Sequence, residues 1–357
     1  MTTLFEPWTL RKITFRNRLF LSPMCQYSSG PDGFANDWHL MHLGARAAGG
    51  AGLVLTEATA VTPDGRISPA DLGLWKDEHI PALSAINHFI KSQGAASGIQ
   101  LAHAGRKAST SPNADGSRPL PTDKGGWTTL APSPIPFEEG YIVPHELDLG
   151  GIQSVIASFR AAAHRADKAE FDVVEIHAAH GYLLHQFLSP LSNCRKDGYG
   201  GSFANRTRIV REIAIAVREV WPETKPLFVR LSATDWMEPE GWTIEQSVAL
   251  AKDLSGLGVD LIDTSSGGLV PNAKIPVGPG YQVPFASRIR SEALIATGAV
   301  GFITEAHQAD AILRDRKADA VLIGREFLRD PAFALHAAQT LGVDVPWPRQ
   351  YQRAKKS

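Results

Sequence analysis

Eight short apolar runs, separated by helical patterns or long connections, set the strongest limit on how this chain can fold. Because the runs are continuous stretches rich in Val, Ile and Leu, they are typical of parallel strands that are covered on both faces. Eight such strands with helices between them predict a closed (β/α)8 barrel of the α/β class, the TIM barrel. The predicted strands cover 18–23, 51–58, 96–105, 172–178, 227–233, 259–268, 292–301 and 318–328.

The helical patterns between these runs support the same arrangement. They cover 37–50, 80–94, 152–169, 203–221, 243–258 and 305–315, and Thr243 begins a capping pattern with Gln246 three residues on. An open doubly wound sheet is the alternative for alternating strands and helices. Such a sheet usually carries a G-x-G-x-x-G turn after an early strand, and this sequence has neither that turn nor a Walker-type loop.

Three segments lie outside the repeating units. Residues 8–19 have the alternation of a short hairpin, which would plug the N-terminal end of the barrel. The connection 106–150 is rich in Pro, Gly, Ser and Asp, and we expect it to fold as a cap over the barrel mouth, because connections this long are often functional. Residues 342–357 form a C-terminal tail. The whole chain, 1–357, is therefore predicted to be a single domain.

Composition and charge exclude several classes of function. The formal net charge is −1, without the basic face that nucleic-acid binding requires. No run of about 18 apolar residues predicts a membrane span, and the N-terminus lacks the basic start and long apolar core of a signal peptide. The two cysteines, Cys25 and Cys194, are too few for a disulfide scaffold, which favours a reducing, cytoplasmic setting. Cys194 lies in a polar stretch and is assigned no role.

Glycines and an arginine follow the last two predicted strands, and active sites of such barrels lie at the C-terminal ends of the strands. These residues are Gly298, Gly301, Gly324 and Arg325. Barrels often bind a phosphate here, through backbone N–H groups at a helix N-terminus. Glycine allows close approach, and arginine adds a charge-assisted hydrogen bond. The alternative is that the glycines only form tight turns.

The stretch 172–188 places two imidazoles and a phenol directly after an apolar strand: His177, His180 and Tyr182. The histidines could ligate a metal, although no carboxylate or thiolate lies nearby in the loop as a third ligand. They could also be structural, with each ring satisfied by the backbone. Alternatively, both donate to a carbonyl or oxyanion whose charge grows in a transition state. Tyr182 then fits as the acid that protonates a carbanion.

Two polar residues inside predicted strands favour a flavin as the ligand. Arg230 is costly to bury unless it meets an anion or a delocalised negative charge. Gln100 can both donate and accept hydrogen bonds, as an amide-bearing heterocycle demands. A flavin offers both features. Cys25, close to Met24 and Tyr27 at the end of the first strand, is either a small buried apolar residue or a residue near the cofactor.

Several motifs, in this order, resemble the Old Yellow Enzyme family. They are LSPMCQYSS (21–29), TEATAVTPDGRIS (56–68), GIQLAHAGRKA (98–108), EIHAAHGYLLHQFLSPLSNCRKDGYGGSFANRTR (175–208), ATGAVG (296–301) and LIGREFLRDP (322–331). The Cys25 and Tyr27 pair, the histidine pair and the short length resemble its thermophilic-like ene-reductase branch, which includes xenobiotic reductases. The resemblance covers essentially the whole chain.

The resemblance implies an FMN-containing barrel with NADPH as the reductant, and no 2′-phosphate site is evident that would separate NADPH from NADH. An activated alkene, such as an enone, a maleimide or a nitro compound, would bind over the flavin. His177 and His180 would hydrogen-bond its carbonyl oxygen, flavin N5 would deliver hydride to the β-carbon, and Tyr182 would protonate the α-carbon. Cys25 would tune the flavin potential and substrate fit, and Tyr27 would help to line the pocket.

The resemblance also assigns the cofactor contacts. The flavin ring and ribityl chain would contact Ser22, Pro23, Met24, Cys25, Ala58, Gln100 and Arg230. The phosphate end would contact Ser266, Gly267, Gly301, Gly324 and Arg325. In the tail, QYQRA (350–354) resembles a segment whose arginine, here Arg353, reaches into the substrate site of a neighbouring subunit. A homodimer or homotetramer is therefore expected.

Three other functions use parts of the same pattern. Larger flavin barrels of the dienoyl-CoA or trimethylamine reductase type add an iron–sulfur cluster, which usually needs four cysteines. A flavin-free lyase or aldolase would place a lysine at a strand end for Schiff-base chemistry, and the predicted strands contain no lysine. A flavin-binding storage or sensor protein would not need the donor set that follows the fourth strand.

Overall fold

Eight parallel strands close into a barrel in the computed structural model, which describes residues 4–112 and 115–355. Neighbouring strands pair in parallel around the whole circle, which confirms the predicted (β/α)8 barrel. In chain order the barrel strands are β3 (Leu19–Leu21), β4 (Leu53–Ala60), β5 (Ala96–Ala102), β8 (Val173–Ala178), β9 (Leu227–Ser232), β10 (Leu261–Ser265), β11 (Ala296–Ala299) and β12 (Ala320–Ile323).

The helices pack around the outside of this barrel because each one buries a single apolar face. In α6 (Arg208–Arg218), for example, the buried residues Ile209, Ile213 and Val217 recur every four positions and lie in the main core cluster against the strands. The helices are α1 (Asp37–Ala48), α2 (Ile80–Ser92), α3 (Leu149–Lys168), α4 (Leu183–Leu188), α5 (Phe203–Arg206), α6 (Arg208–Arg218), α7 (Ile244–Gly256), α8 (Val283–Ala293), α9 (Ala306–Arg314), α10 (Arg325–Arg329) and α11 (Phe333–Thr340).

Most boundaries differ from the sequence-based expectation by a few residues, as three examples show. Helix α3 begins at Leu149 rather than at 152, because the Asp148 side chain caps it by accepting from the N–H of Gly151 at 2.6 Å. The pattern 203–221 is divided into α5 and α6 at Thr207. Strand β11 is shorter than 292–301, because helix α8 continues to Ala293 and Leu294 then adopts a left-handed conformation at φ 55°. The capping pattern of α7 is confirmed, since the N–H of Thr243 donates to Gln246 Oε1 at 3.3 Å.

The predicted N-terminal hairpin closes the bottom of the barrel. Strands β1 (Trp8–Leu10) and β2 (Ile13–Phe15) pair antiparallel, and Trp8 lies opposite Phe15. The ring of Phe15 packs 4.9 Å from that of Phe20, inside an apolar cluster built from the first residues of the barrel strands. Truncation of a buried Phe to Ala costs about 3–5 kcal/mol of folding free energy. Phe15 therefore contributes much of the free energy that holds the hairpin against the barrel.

The connection after β5 folds over the opposite end of the barrel, as predicted for the cap. It contains a two-stranded pair, β6 (Leu130–Ala131) and β7 (His145–Glu146). The buried Arg195, beyond α4, anchors this pair by donating to the backbone oxygens of Pro132 and Leu147 at 3.0 and 2.6 Å. Residues 113 and 114 of the predicted cap lie outside the described residues.

Short 3-10 helices complete the described structure. They cover Pro63–Gly65, Asp77–His79, Gly105–Lys107, Thr122–Lys124 and Arg349–Ala354, the last of them in the predicted tail, whose residues 356 and 357 lie outside the described part. Among the described residues, none of the helices has the length and hydropathy needed to cross a membrane.

Candidate active site

The turn after β8 holds the two imidazoles in a fixed arrangement. His177 is the next-to-last residue of β8, and His180 follows with a left-handed backbone at φ 58°. Gly181 also has a positive φ, 73°, and a Cβ there would lie 2.1 Å from the carbonyl oxygen of Gly268. Only glycine therefore allows this turn to pack against the loop after β10. The buried His185 holds the turn from behind, because its Nε2 lies 2.8 Å from Asp235 Oδ1 and its Nδ1 accepts from the N–H of Gly181.

The two histidine rings face each other edge to face, with His177 Nε2 and His180 Nδ1 3.4 Å apart. The N–H of Ala179 donates to His177 Nδ1 at 3.3 Å, so the proton of neutral His177 lies on Nε2. His180 Nε2 lies 2.7 Å from Ser265 Oγ. A serine hydroxyl can donate as well as accept. When it donates, the proton of His180 lies on Nδ1, and the two facing nitrogens are both donors.

Both imidazoles are neutral in this site. Burial, and then the positive charge of Arg230, lower the pKa of His177 and of His180 well below the ordinary histidine value. A neutral imidazole keeps one N–H, which is enough to donate to an acceptor between the rings. The pair is therefore suited to hold a carbonyl oxygen or an oxyanion.

Tyr182 begins α4 and lies against the same pair. Its ring is 5.1 Å from that of His177, at an interplanar angle of 76°. Burial raises the pKa of Tyr182 well above its ordinary value, so the phenol stays protonated and can act as an acid.

Lys107 enters the site although the sequence did not single it out. Its ammonium lies 5.2 Å from the centre of the Tyr182 ring and donates to the backbone oxygens of His180 and Gly268, at 2.9 and 3.1 Å. Burial, with the nearby Arg106, lowers the pKa of Lys107 to about 8. The predicted strands contain no lysine, and Lys107 agrees with this because it lies five residues beyond the end of β5.

Cys25 and Tyr27 lie near Tyr182, because all three pack against the same small apolar cluster. The cluster contains Ile67, Ala104 and Ala108, with Cys25, Tyr27, Trp127 and Tyr182 packed against it. Burial raises the pKa of the Cys25 thiol well above its ordinary value, so this cysteine is neutral. A neutral thiol is a weak nucleophile, so Cys25 is better suited to pack beside a bound ligand than to attack it.

Glu57, a polar residue near the end of the second predicted strand that was given no role, shapes the loop that carries Cys25. Strand β4 has an irregularity between Leu55 and Ala58, which places the Glu57 carboxylate behind this loop. Glu57 accepts from the N–H of Gln26 at 2.9 Å, and its other oxygen lies 3.2 Å from Nε2 of His39. His39, on helix α1, therefore has a buried partner.

The predicted flavin-contacting residues of the strands lie inside the barrel. Gln100 pairs in register with Ala58 on one side and with Glu175 on the other. Its amide nitrogen donates to Glu175 Oε1 at 2.7 Å. Arg230 Nε lies 3.0 Å from Asp263 Oδ2. Glu175 and Asp263 were not predicted, although a charged residue inside an apolar strand is itself a signal.

The phosphate end predicted from the glycines is a pocket of about 220 Å³ between the ends of β10, β11 and β12. Gly301, Gly324 and Arg325 line it, together with Ser265, Tyr281, Gln282, Phe302 and Arg329. A Cβ on Gly301, whose φ is 117°, would lie 2.9 Å from Gln282 Nε2. A Cβ on Gly324 would lie 3.5 Å from Met24 Sδ, which connects this pocket to the loop of the first barrel strand.

Five predicted residues take other positions around the site. The Ser266 hydroxyl donates to Gln282 Oε1 at 2.6 Å, and Gln282 lines the pocket. Ser266 therefore holds a lining residue in place. A Cβ on Gly267 would meet Ile275 at 2.8 Å. Arg353 is exposed in the tail and forms hydrogen bonds with none of the other predicted residues in the described part. Ser22 and Pro23 follow β3 directly, and the N–H of Ser22 donates to the oxygen of Ile323 at 2.9 Å.

Two features of the site fit a bound FMN: a buried guanidinium and a glycine-lined pocket. Arg230 is 5% exposed, and within residues 4–112 and 115–355 its guanidinium makes no hydrogen bond beyond the ion pair with Asp263. A buried guanidinium with a single protein partner is suited to contact a ligand that carries delocalised negative charge. The glycine-lined pocket with two arginines fits a phosphate. No group of three or more His, Cys, Asp or Glu side chains placed to hold a metal ion occurs among the described residues.

A barrel with a phosphate pocket, a buried guanidinium and a donor pair at the strand ends defines the class of flavin-dependent oxidoreductases. Residues 3–343 match the model of the NADH:flavin oxidoreductase / NADH oxidase family. The chain belongs to this family, which is that of Old Yellow Enzyme, and it is an FMN-dependent oxidoreductase.

Curated relatives match over the full length. The chain is 51% identical to the NADPH dehydrogenase of Listeria innocua over 357 residues, which is 100% of each chain. It is 50% identical to the NADPH dehydrogenase of Geobacillus thermodenitrificans over 353 residues, 99% of this chain and 98% of the relative.

Solved structures agree on the architecture. Morphinone reductase in complex with tetrahydroNAD superposes with a TM-score of 0.78 at 27% identity, covering 97% of this chain and 92% of that one. A 2-naphthoyl-CoA reductase has a TM-score of 0.85 at 24% identity and shares the fold. The match covers 96% of the present chain and 52% of that longer chain.

Proposed function

We propose that this chain is an NADPH-dependent ene-reductase, which reduces the activated C=C bond of α,β-unsaturated carbonyl compounds and related alkenes. The observation that carries this proposal is the donor pair at the end of β8. His177 Nε2 and His180 Nδ1 lie 3.4 Å apart, and a third atom between them can accept from both. The full-length similarity to NADPH dehydrogenases supports NADPH as the reductant.

The imidazole pair would bind the carbonyl oxygen of the substrate. As electrons move from the C=C bond toward that oxygen, negative charge grows on it, and the two neutral N–H donors stabilise the charge without a reorganisation of the site. Ser265 supports this state, because a hydroxyl that donates to His180 Nε2 leaves the proton of His180 on Nδ1.

Tyr182 would supply the proton. The phenol lies beside His177, and its raised pKa keeps it protonated until a strongly basic carbon forms. Lys107, close to the Tyr182 ring, would favour the phenolate that remains after the transfer. Bound FMN would supply the hydride that reaches the β-carbon, with Gln100 and Arg230 holding the ring and the glycine-lined pocket holding the phosphate.

Isotope labelling tests this assignment directly. The enzyme is given an enone in deuterated water with unlabelled NADPH, and then in ordinary water with NADPH that carries deuterium at the transferred position. We expect deuterium at the α-carbon in the first case and at the β-carbon in the second. A reduced carbonyl group with an intact C=C bond would contradict the proposal.

The proposal extends to assembly and location. Arg353 is exposed in the tail, which leaves it free to reach a second copy of the chain in a homodimer or homotetramer. Sedimentation of the wild type gives the oligomeric state, and Arg353→Ala should raise the KM for the enone if the arginine enters a neighbouring site. A cytoplasmic location fits the two unpaired cysteines, since Cys194 is exposed.

A further inference from the structure

A polar layer lies inside the barrel, one layer below His177. Glu175 precedes His177 by two residues on β8, so both side chains point into the barrel. Its neighbours in the layer are Gln100 on β5, Arg230 on β9 and Asp263 on β10. Glu175 and Asp263 are both 0% exposed, and no step proposed above uses either carboxyl group.

The charges in this layer do not balance if both carboxyl groups are ionised. One guanidinium, that of Arg230, faces two acids. Among the described residues, Glu175 Oε2 and Asp263 Oδ1 have no hydrogen-bond partner. A buried carboxylate with an unpaired oxygen carries a desolvation penalty of several kcal/mol, and a bound proton removes that penalty because the protonated oxygen becomes a donor.

The groups that face Glu175 are few. Asp263 comes from β10, Arg230 from β9 and Gln100 from β5, and the nearest titratable group along its own strand is His177, which stays neutral. Asp263 faces Arg230 as its nearest charge, and the in-register residue of β11 is Gly298. Arg230 is thus the one cation that faces the two acids in this part of the described structure.

We propose that Glu175 and Asp263 form a proton-binding pair that takes up a proton from solvent when negative charge builds on the reduced cofactor, and releases it on reoxidation. This rests on the placement of FMN against Gln100 and Arg230, which belongs to the proposed function. Hydride transfer from NADPH leaves NADP⁺ and one additional negative charge on the bound cofactor. Uptake forms one carboxyl O–H bond, which breaks when the substrate has removed the two electrons.

The titration range of the pair suits this role. Burial, with the negative charge of Asp263, raises the pKa of Glu175 to about 8, against the opposing effect of Arg230. Burial raises the pKa of Asp263 to about 6, again opposed by Arg230. Additional negative charge nearby raises the pKa of a carboxyl group, so reduction draws a proton to each member of the pair in the pH range just above its own pKa.

The midpoint potential of the bound flavin tests the proposal. It is measured in the holoenzyme by anaerobic spectroelectrochemical titration between about pH 5 and about pH 10, a range that covers the raised pKa values of both carboxyl groups. The wild type should show a steeper fall of potential with pH than Glu175→Gln above about pH 8, where Glu175 has lost its proton in the oxidised enzyme. Glu175→Gln keeps the acceptor for Gln100 but cannot titrate. Glu212→Gln, on the outer helix α6, changes a carboxylate to an amide away from the layer and should follow the wild type.

A second measurement needs no variant. Infrared difference spectra of the wild-type holoenzyme, reduced minus oxidised, should contain a C=O stretching band of a protonated carboxyl group that shifts in deuterated water. Identical potential–pH curves for the wild type and Glu175→Gln, or no carboxyl band in the difference spectrum, would overturn the proton-binding pair while leaving the ene-reductase proposal intact. A protein that binds no FMN would overturn both.

Discussion

Ser265 Oγ lies 2.7 Å from His180 Nε2 and 3.4 Å from Gln282 Oε1, so the direction of one serine proton on β10 decides the proton position of a histidine that follows β8. The same imidazole has its other nitrogen 3.4 Å from His177 Nε2, whose proton is fixed by the N–H of Ala179. The two rings can therefore donate together only while the Ser265 hydroxyl donates to His180. The proton arrangement of the site thus depends on a hydroxyl two strands away from the histidines.

Ser265→Ala tests this dependence. Without the hydroxyl, His180 Nε2 loses its donor, and the ring is free to place its proton away from the substrate. A net hydrogen bond contributes about 0.5–1.5 kcal/mol, so phenol binding should weaken about 2- to 10-fold at equal FMN content. Titration of the flavin spectrum with a phenol measures it. Ser266→Ala is the matched control, because that hydroxyl donates to Gln282 instead; an equal loss in both variants would argue against tautomer control.

His177→Ala removes one of the two donors outright. Phenolates mimic the enolate oxygen, and a hydrogen bond to a charged group contributes about 1.5–3 kcal/mol, so phenol affinity should fall about 10- to 150-fold. The dissociation constant from the flavin spectrum gives the answer. His164→Ala, at an exposed position of α3, should bind phenols like the wild type. Undiminished affinity in His177→Ala would count against the carbonyl clamp.

Tyr182→Phe separates the two half-reactions. Flavin reduction by NADPH needs no proton from the phenol and should keep nearly its full rate. Reoxidation by an enone should slow by about 100-fold or more, since a positioned acid contributes about 10²–10⁴. Anaerobic stopped-flow measures each step. Tyr141→Phe removes a cap hydroxyl that donates to the backbone oxygen of Ser117, and both rates should survive. Equal losses in the two half-reactions of Tyr182→Phe would speak for a structural role.

The pH dependence of substrate reduction follows from the lowered histidine pKa values. Burial and Arg230 hold the pKa of His177 and His180 well below the ordinary value of about 6.5. Both rings therefore remain neutral from about pH 7 down through about pH 6, and the rate of flavin reoxidation at saturating enone should show no histidine titration there. A transition with a midpoint near the ordinary value would show that one of these rings is solvated.

The sequence predicted the parts of the site that follow strands directly. His177, His180 and Tyr182 come within five residues of the end of β8, and barrel geometry alone sends such residues to the site. Cys25 and the glycine-lined pocket follow from the same rule. The hairpin could be predicted because its alternation differs in period from the buried strands on either side.

The missed residues depend on contacts between distant strands. Lys107 belongs to a basic pair in a loop, and only closure of the barrel brings it to the oxygens of His180 and Gly268. Glu175 and Asp263 lie within apolar strands, where an acid needs a partner. The sequence places Arg230 and the two acids in consecutive predicted strands. It does not show the strand register, which decides whether their side chains meet. Arg353 remains a prediction, because its role requires a second chain.

The central claim is that this barrel transfers hydride to an activated alkene, and anaerobic reoxidation tests it most directly. The purified yellow holoenzyme is reduced with one equivalent of NADPH, and the bleached flavin is mixed with an enone in the absence of oxygen. We expect the yellow colour to return with saturation kinetics, together with one equivalent of the saturated ketone. A flavin that stays bleached with enones, maleimides and nitroalkenes alike would contradict the claim.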